Sequence, residues 1–178
     1  MQMNRLLLSL LLLICFTAQA TTVPSVGLEE LVDQSEIIVH GRVVQSWATW
    51  DGAHKYIWTH HLIAVIDRVR GSGAGYVVAS EPGGQLGNVG MRFSGALDYG
   101  VGEETVVFLY RTPIGFLRAT GYGQGKYTVT QEARVRANSN GLDLLPRKGL
   151  RGAELSTLNG LTVDDFKARV RDAIRRGR

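Results

Sequence analysis

The residues of this chain that stand out as candidates for acid–base, metal or nucleophilic chemistry are four histidines, the adjacent glutamates Glu103 and Glu104, the Ser94-Gly95 step and one cysteine. His60 and His61 are neighbours in an extended run, so their rings point to opposite faces and cannot act as a simple pair of ligands. Either could join a distant acid at a metal, although a partly exposed strand histidine is the plainer reading, and His40 and His54 stand apart from both. Glu103 and Glu104 meet at the entrance to a strand, where neighbouring carboxylates diverge instead of flanking a scissile bond, and a solvated turn accounts for them. Ser94 precedes glycine in FSGA, but no G-x-S-x-G elbow surrounds it. These residues point away from an enzyme, and none of them asks for a cofactor or a metal.

Aromatic placement is the better lead to a binding surface. Trp47, Trp50, Tyr56 and Trp58 flank Asp51-Gly52, a strong hairpin-turn signal. With Asp51 to His54 as the loop, Trp47 faces Trp58 across the strands, Thr49 faces Tyr56, and Trp50 lies beside the turn. Such a cluster offers a platform for sugar rings or for a partner's apolar edge; it would equally serve as a cross-strand pair that holds the hairpin together.

The elements that must carry these residues are mainly strands. Leu28, Leu31 and Val32 follow helical spacing and predict one short helix ahead of the sheet. Then Glu36 to Trp47 and Tyr56 to Val69, both rich in β-branched and aromatic residues, predict a long hairpin. Gly41 inside the first strand suggests a bulge or sharp bend of the kind that curls a sheet over itself. Further strands are expected at Tyr76 to Ser80, Glu104 to Arg111, Phe116 to Thr120 and Lys126 to Thr130, with a short one around Met91 to Phe93. The glycine-rich stretch from Glu81 to Glu104 holds no G-x-x-x-x-G-K-[ST] and no helical pattern follows it, so it reads as turns and bulges instead of a phosphate loop.

Both ends carry their own signals. Arg5, the apolar run Leu6 to Phe16 and Ala18-Gln19-Ala20 have the order of a secretory signal peptide over residues 1–20, which places the mature start at Thr21. The run is too short for a hydrocarbon core that needs about 20 residues, so no membrane span is expected. Cys15 lies inside it, and cleavage leaves a chain without thiols; Ile14 before that cysteine argues against lipidation. At the other end, Val163, Phe166, Val170 and Ile174 share one helical face over Val163 to Arg176, with Thr162 as cap, Leu161 as staple and Gly177 as stop. That stripe should dock on the sheet, with a partner-binding helix as the alternative. The formal net charge of +4 is concentrated in residues 143–178, since the acids and bases of residues 21–142 nearly balance. A basic tail on an exported protein could meet an acidic surface or simply be a solvated face, and nucleic acid is discounted by the export signal. Residues 138–160 read as a linker with little regular structure.

The run of helix, strand, turn and long strand in LVDQSEIIVHGRVVQS and YIWTHHLIAVIDRVRG is similar to the opening half of netrin-like modules, the OB-type barrels of the tissue inhibitors of metalloproteinases. The chain also resembles a group of uncharacterised bacterial secreted proteins in which a PGG turn, an SGA-x-x-[YF]-x-x-GEE segment and a GQGK[YF] segment recur; here these are Pro82 to Gly84, Ser94 to Glu104 and Gly123 to Tyr127. The inhibitors act through the mature N-terminus, whose first cysteine chelates the protease zinc by its amine and carbonyl. Thr21, Thr22, Val23 and Pro24 are similar to that edge, but no cysteine occupies it and the disulfides that fix it are missing. An α-amino group and its carbonyl need no thiol to meet zinc. Without disulfides, packing alone would have to preorganise them, and a flexible leader is the alternative.

The sequence thus predicts a mainly β, OB-like (netrin/TIMP-like) small barrel over residues 21–137, with a short N-terminal helix, a linker over 138–160 and a C-terminal basic amphipathic helix over 161–178. The expected protein is a monomeric or weakly associating, periplasmic or extracellular, non-catalytic binding module. Its partner would be an exported or envelope protein, with a metalloprotease or an envelope glycan as the specific alternatives, and with no nucleic acid and no membrane span.

Overall fold

In a computed structural model, which describes residues 22–138, 143–145 and 157–177, one strand organises the sheet. Thr105 to Leu109 in β7 (Glu104–Arg111) are buried at every position, the pattern of a strand covered on both faces. Its Val107 and Leu109 face one apolar cluster and its Val106 and Phe108 another. β7 pairs antiparallel with β2 (Ile37–Trp50) and β9 (Lys126–Val129), and further along with β8 (Leu117–Ala119). β2 pairs with β3 (Ile57–Arg70), and β3 with β4 (Tyr76–Pro82), which meets β8 in a parallel step at Ala79 and Leu117. The strands β2, β3, β4, β8 and β7 therefore close into a ring within a seven-stranded sheet whose outer edge is β9 and β10 (Val135–Ala137).

The ring is filled by Val39, Val43, Ile63, Val77, Ala79, Val107, Leu109 and Ala119. Two helices cover part of its outside. α1 (Leu28–Gln34) contributes Leu28, Leu31 and Val32, and α2 (Val163–Arg176) contributes Val163, Phe166, Val170 and Ala173, to a layer over Ile38, Val106 and Phe108. Phe166 meets Tyr127 with ring centroids 4.5 Å apart and Phe108 edge-on at 6.2 Å. The helix is capped as expected, with Asp165 N–H donating to Thr162 Oγ1 at 3.2 Å. Its apolar stripe is used within the chain, and its bases are used too: Lys167 and Arg171 pair with Asp67 of β3, and Arg176 pairs with Glu29 of α1. Lys167 and Arg171 thus help to dock α2 on the sheet, and Arg176 ties it to α1.

Gly41 marks the bend expected of it. The register of β2 against β3 shifts between His40 and Gly41, and a Cβ there would lie 2.5 Å from the Ala64 carbonyl oxygen. Four short strands had no signal in the sequence analysis: β1 (Thr22–Pro24), β5 (Gly84–Leu86), β10 and β11 (Asp143–Leu145). β1 pairs in parallel with β11, so the segment read as a linker supplies a strand, and Leu158 from the same segment is buried in the helix layer. The expected strand near Met91 is β6 (Val89–Met91), paired with β5 (Gly84–Leu86) in a small hairpin. Residues 1–20 and Thr21 lie outside the described residues.

Truncating Phe166 to alanine should cost about 3–5 kcal/mol, because the ring is fully buried between Tyr127 and Phe108 and the site cannot collapse around the loss. Ile114→Ala, at an exposed turn, should stay within about 0.5 kcal/mol. Denaturant unfolding of the two variants checks both values.

Candidate functional site

The hairpin aromatics do not form the pairing the turn signal predicts. Asp51 N–H donates to the Tyr56 carbonyl and the Asp51 carboxylate accepts from Lys55 N–H, so the loop runs to Tyr56 and the strands close at Trp50 and Ile57. Trp47 consequently faces His60 and Thr49 faces Trp58. Trp47 and Trp58 still share a face, as diagonal neighbours. Trp50 is stacked on His54 within the turn and Tyr56 packs edge-on against Phe93, so neither joins them.

His60, considered beforehand only as a metal ligand, and Phe116, not singled out at all, bind this face together. Phe116 arrives from the turn between β7 and β8 and meets Trp58 and His60 edge-on, each at 5.1 Å, and Trp47 lies 5.4 Å from His60. His60 is buried, and both ring nitrogens are engaged, Nε2 with Thr49 Oγ1 and Nδ1 with Ser80 Oγ, each at 2.8 Å. Burial lowers its pKa, which keeps it neutral between the two hydroxyls. One imidazole therefore stitches three strands.

The same face continues along the sheet. Successive cross-strand pairs of β3 and β4 are Trp58 with Pro82, His60 with Ser80, Leu62 with Val78 and Ala64 with Tyr76, a ladder without one charge. Tyr76 is 58% exposed and Trp47 36%, and Ile66 further along β3 is 56% exposed. The helix layer covers Ile38, Val106 and Phe108 on β2 and β7 and does not include this ladder. The signal for it was present in the sequence: YIWTHHLIAVI is apolar at nearly every position, as in a strand covered on both faces, where a half-exposed strand would alternate.

His61 points the other way, toward the ring interior, and stacks on Tyr99 at 4.6 Å with its Nδ1 2.8 Å from Ser46 Oγ. Burial drives its pKa down to about 4. It lines a cavity of about 810 Å³ at one mouth of the ring, with Thr59, Glu81, Arg92, Phe93 and Asp98, roofed by the glycine-rich loop. The loop is pinned by a buried lysine. Lys126 Nζ donates to the Asp98 carbonyl and to Glu103, each within 2.9 Å, and lies 4.4 Å from the centre of the Tyr99 ring. Burial raises the Glu103 carboxyl, but hydrogen bonds from Lys126 and Thr128 together with the Lys126 charge outweigh it and hold the group below its usual value. Glu104 diverges from Glu103, as expected, yet neither is simply solvated, since Glu104 pairs with His40 and Arg42. Ser94 is exposed on the loop. Among the described residues no three His, Cys, Asp or Glu side chains converge as a metal set.

The N-terminal edge is held from inside the molecule. Gln124 Oε1 accepts from Val26 N–H at 2.8 Å and its Nε2 donates to the Pro24 carbonyl at 3.0 Å, so one amide side chain clamps the segment that follows β1. Gly125, next in the same motif, admits no side chain, because a Cβ would sit 2.3 Å from the Thr120 carbonyl oxygen. Val23 and Pro24 border a groove of about 650 Å³ shared with Glu30, Tyr110, Arg118 and Tyr122. Glu103, Gln124 and Lys126 thus act on architecture: Glu103 and Lys126 fix the loop, and Gln124 fixes the N-terminal edge.

No protein-family model matches the chain, and no curated protein is detectably similar to it. The reading of these surfaces therefore rests on their geometry.

Because the folded pKa of His61 lies below that of a free histidine, only the unfolded chain takes up that proton between about pH 6.5 and pH 4. Folding stability should fall as pH drops through that window, and His61→Gln should remove about 2–3 kcal/mol of the fall. Urea unfolding of both proteins at a series of pH values measures the difference; parallel curves would exclude the assignment.

Proposed function

We propose that this protein is an exported, periplasmic or extracellular, non-catalytic binding module of OB/netrin-like type, and that it engages an exported or envelope protein through the outer face of β3 and β4. The order of the ring strands supports the fold reading. Taken along the chain they run first to second to third to fifth to fourth and back to first, with the third and fifth parallel, which is the arrangement of OB-type barrels. In that fold ligands meet the face of the second and third ring strands between two loops. Here those strands are β3 and β4, and the turn carrying Phe116 borders them.

The single observation that carries the proposal is the charge-free apolar ladder of β3 and β4, left outside the helix layer and flanked by Trp47 and Tyr76. An exposed apolar patch of this kind marks an interaction surface. An apolar protein edge suits it better than sugar rings. The hydroxyls of Thr49 and Ser80 are already committed to His60, and the Trp58 and Phe116 rings meet edge-on, so little polar capacity and little flat ring area face outward. Among the described residues no helix is long and apolar enough to cross a membrane.

A second reading, metalloprotease inhibition through the mature N-terminus, is favoured by one observation. The chain at Val23 and Pro24 is held by Gln124 and by pairing with β11, so its order needs no disulfide. Thr21, Thr22, Val23 and Pro24 would then form the chelating edge, with the Thr21 amine and carbonyl as ligands.

Affinity capture from secreted and envelope fractions separates the readings. With the mature protein as bait, Trp47→Ala/Tyr76→Ala should lower recovery of the bound protein about tenfold or more, in the range of hot-spot losses, while one extra residue before Thr21 leaves recovery unchanged. Capture of a metalloprotease that the extra residue abolishes and the double variant spares would reverse the assignment to the inhibitor reading. Retention on envelope polysaccharide that Trp47→Ala or Trp58→Ala abolishes would assign the face to glycan.

A further inference from the structure

The hairpin of β2 and β3 outruns the ring. β2 pairs with β7 only from Ile37 to Arg42, and the loop before β7 follows it for one residue more, through Val43 N–H to the Glu103 carbonyl and Gly102 N–H to the Val43 carbonyl. Val44 is a bulge, skipped in the register with β3. From Gln45 to Trp50, β2 pairs with β3 alone, and among the described residues its other edge has no backbone partner. Six residues at about 3.4 Å each give a bare edge about 20 Å long, the length of an ordinary strand.

Bare edges are normally guarded by a lysine, a proline or an inward charge. Gln45, Ser46, Trp47, Ala48, Thr49 and Trp50 contain none of these; the only guard is the bulge at Val44. A segment without charge is complementary to itself, since antiparallel pairing with an identical strand sets no like charges opposite each other. We propose that this edge pairs with the same edge of a second copy of the chain, forming a twofold dimer with one continuous sheet.

Symmetry restricts the register. A twofold axis normal to the sheet keeps the outer faces of both copies on one side, so residues of the same face must oppose each other. A pairing centred on Trp47 overlaps five of the six residues, with Trp47 opposite Trp47, Ser46 opposite Ala48 and Gln45 opposite Thr49. Trp47, half exposed in one copy, would be covered by its twin. Pairing uses the edge of β2 and covers Trp47 at one margin of the partner interface assigned above, while the outer ladder of β3 and β4 from Leu62 to Tyr76 stays clear of it.

Sedimentation of the purified protein over a concentration series tests the proposal, with Ala48→Lys and Ala48→Glu as probes. Across the axis the two copies of residue 48 are diagonal neighbours about 7–8 Å apart, within the screening length at moderate salt. The wild type should dimerise, each variant alone should weaken the dimer at least tenfold, and an equimolar mixture of the two should restore it. Restoration in the mixture cannot come from unfolded chains, so a misfolded variant is distinguished from a blocked interface. A wild type that stays monomeric up to about 1 mM, the weak end of specific affinities, would overturn the proposal, as would a wild-type dimer that neither substitution weakens. Because Ala48 lies outside the β3–β4 ladder and breaking the dimer uncovers Trp47, capture of the binding partner should not fall in either variant, which keeps this test separate from that of the outer face.

Discussion

The double burial of β7 is the constraint on which the rest depends. A strand with one wet face would need only a single apolar cluster behind it. β7 needs two, and the chain supplies them from different directions, the ring interior against Val107 and Leu109, and the helix layer against Val106 and Phe108. Closing the ring through β8 makes the first cluster, and returning the chain at its C-terminal end to lay α2 across the sheet makes the second. Burial of this extent is the dominant favourable term available to a chain without disulfides. The ion pairs of Lys167 and Arg171 with Asp67 then set where along the sheet α2 lies more than how tightly, since partly exposed pairs contribute little.

The polar residues inside this frame are spent on holding loops. A lysine as deeply buried as Lys126 costs desolvation unless its donors are met, and Glu103, the Asp98 carbonyl and the Tyr99 ring meet them. Gln124 likewise satisfies one donor and one acceptor of the N-terminal segment with a single amide. Such networks fix a unique arrangement of irregular backbone, here the glycine-rich roof of the ring mouth and the entry of the chain.

Long elements were legible in the sequence because their periodicity is strong: the hairpin strands, β7, α1 and α2 all lie within a few residues of where the pattern puts them. The short strands were not. Three residues carry no usable period, and β1, β10 and β11 form because backbone elsewhere offers partners, a reason that no local signal encodes. The hairpin register failed for a different cause. Asp51-Gly52 marks a turn correctly but does not fix the loop length, and the carboxylate of Asp51 bonding Lys55 N–H lengthens the loop enough to slide Trp47 from Trp58 to His60. A slide of two residues preserves the face, which is why the aromatic surface survives the wrong pairing. His60 and Phe116 were invisible as partners because they are far apart in the chain, and only ring closure brings the β7–β8 turn onto β3.

The distribution of apolar residues in β3 argues for association more strongly than any single ring does. Soluble antiparallel sheets that keep one face wet show alternation, and β3 departs from it on the side away from the ring interior, at Trp58, Leu62, Ala64 and Ile66. On β2 and β7 the same departure is explained by the helices that cover it. Phe116 covers the end of the outer ladder at Trp58 and His60, the helix layer does not include the rest of it from Leu62 to Tyr76, and the edge of β2 beside it has no backbone partner among the described residues. The edge lies on the part of the hairpin that projects past the ring, the ladder runs from there along β3 and β4, and both lack the charges that elsewhere tie this chain to itself. Part of the length beyond Val43 is used inside the molecule, since Ile57 is buried with its N–H on Met91 Sδ and its carbonyl accepting from Gly83 N–H, whereas the outer edge of β2 from Gln45 to Trp50 has no backbone partner among the described residues.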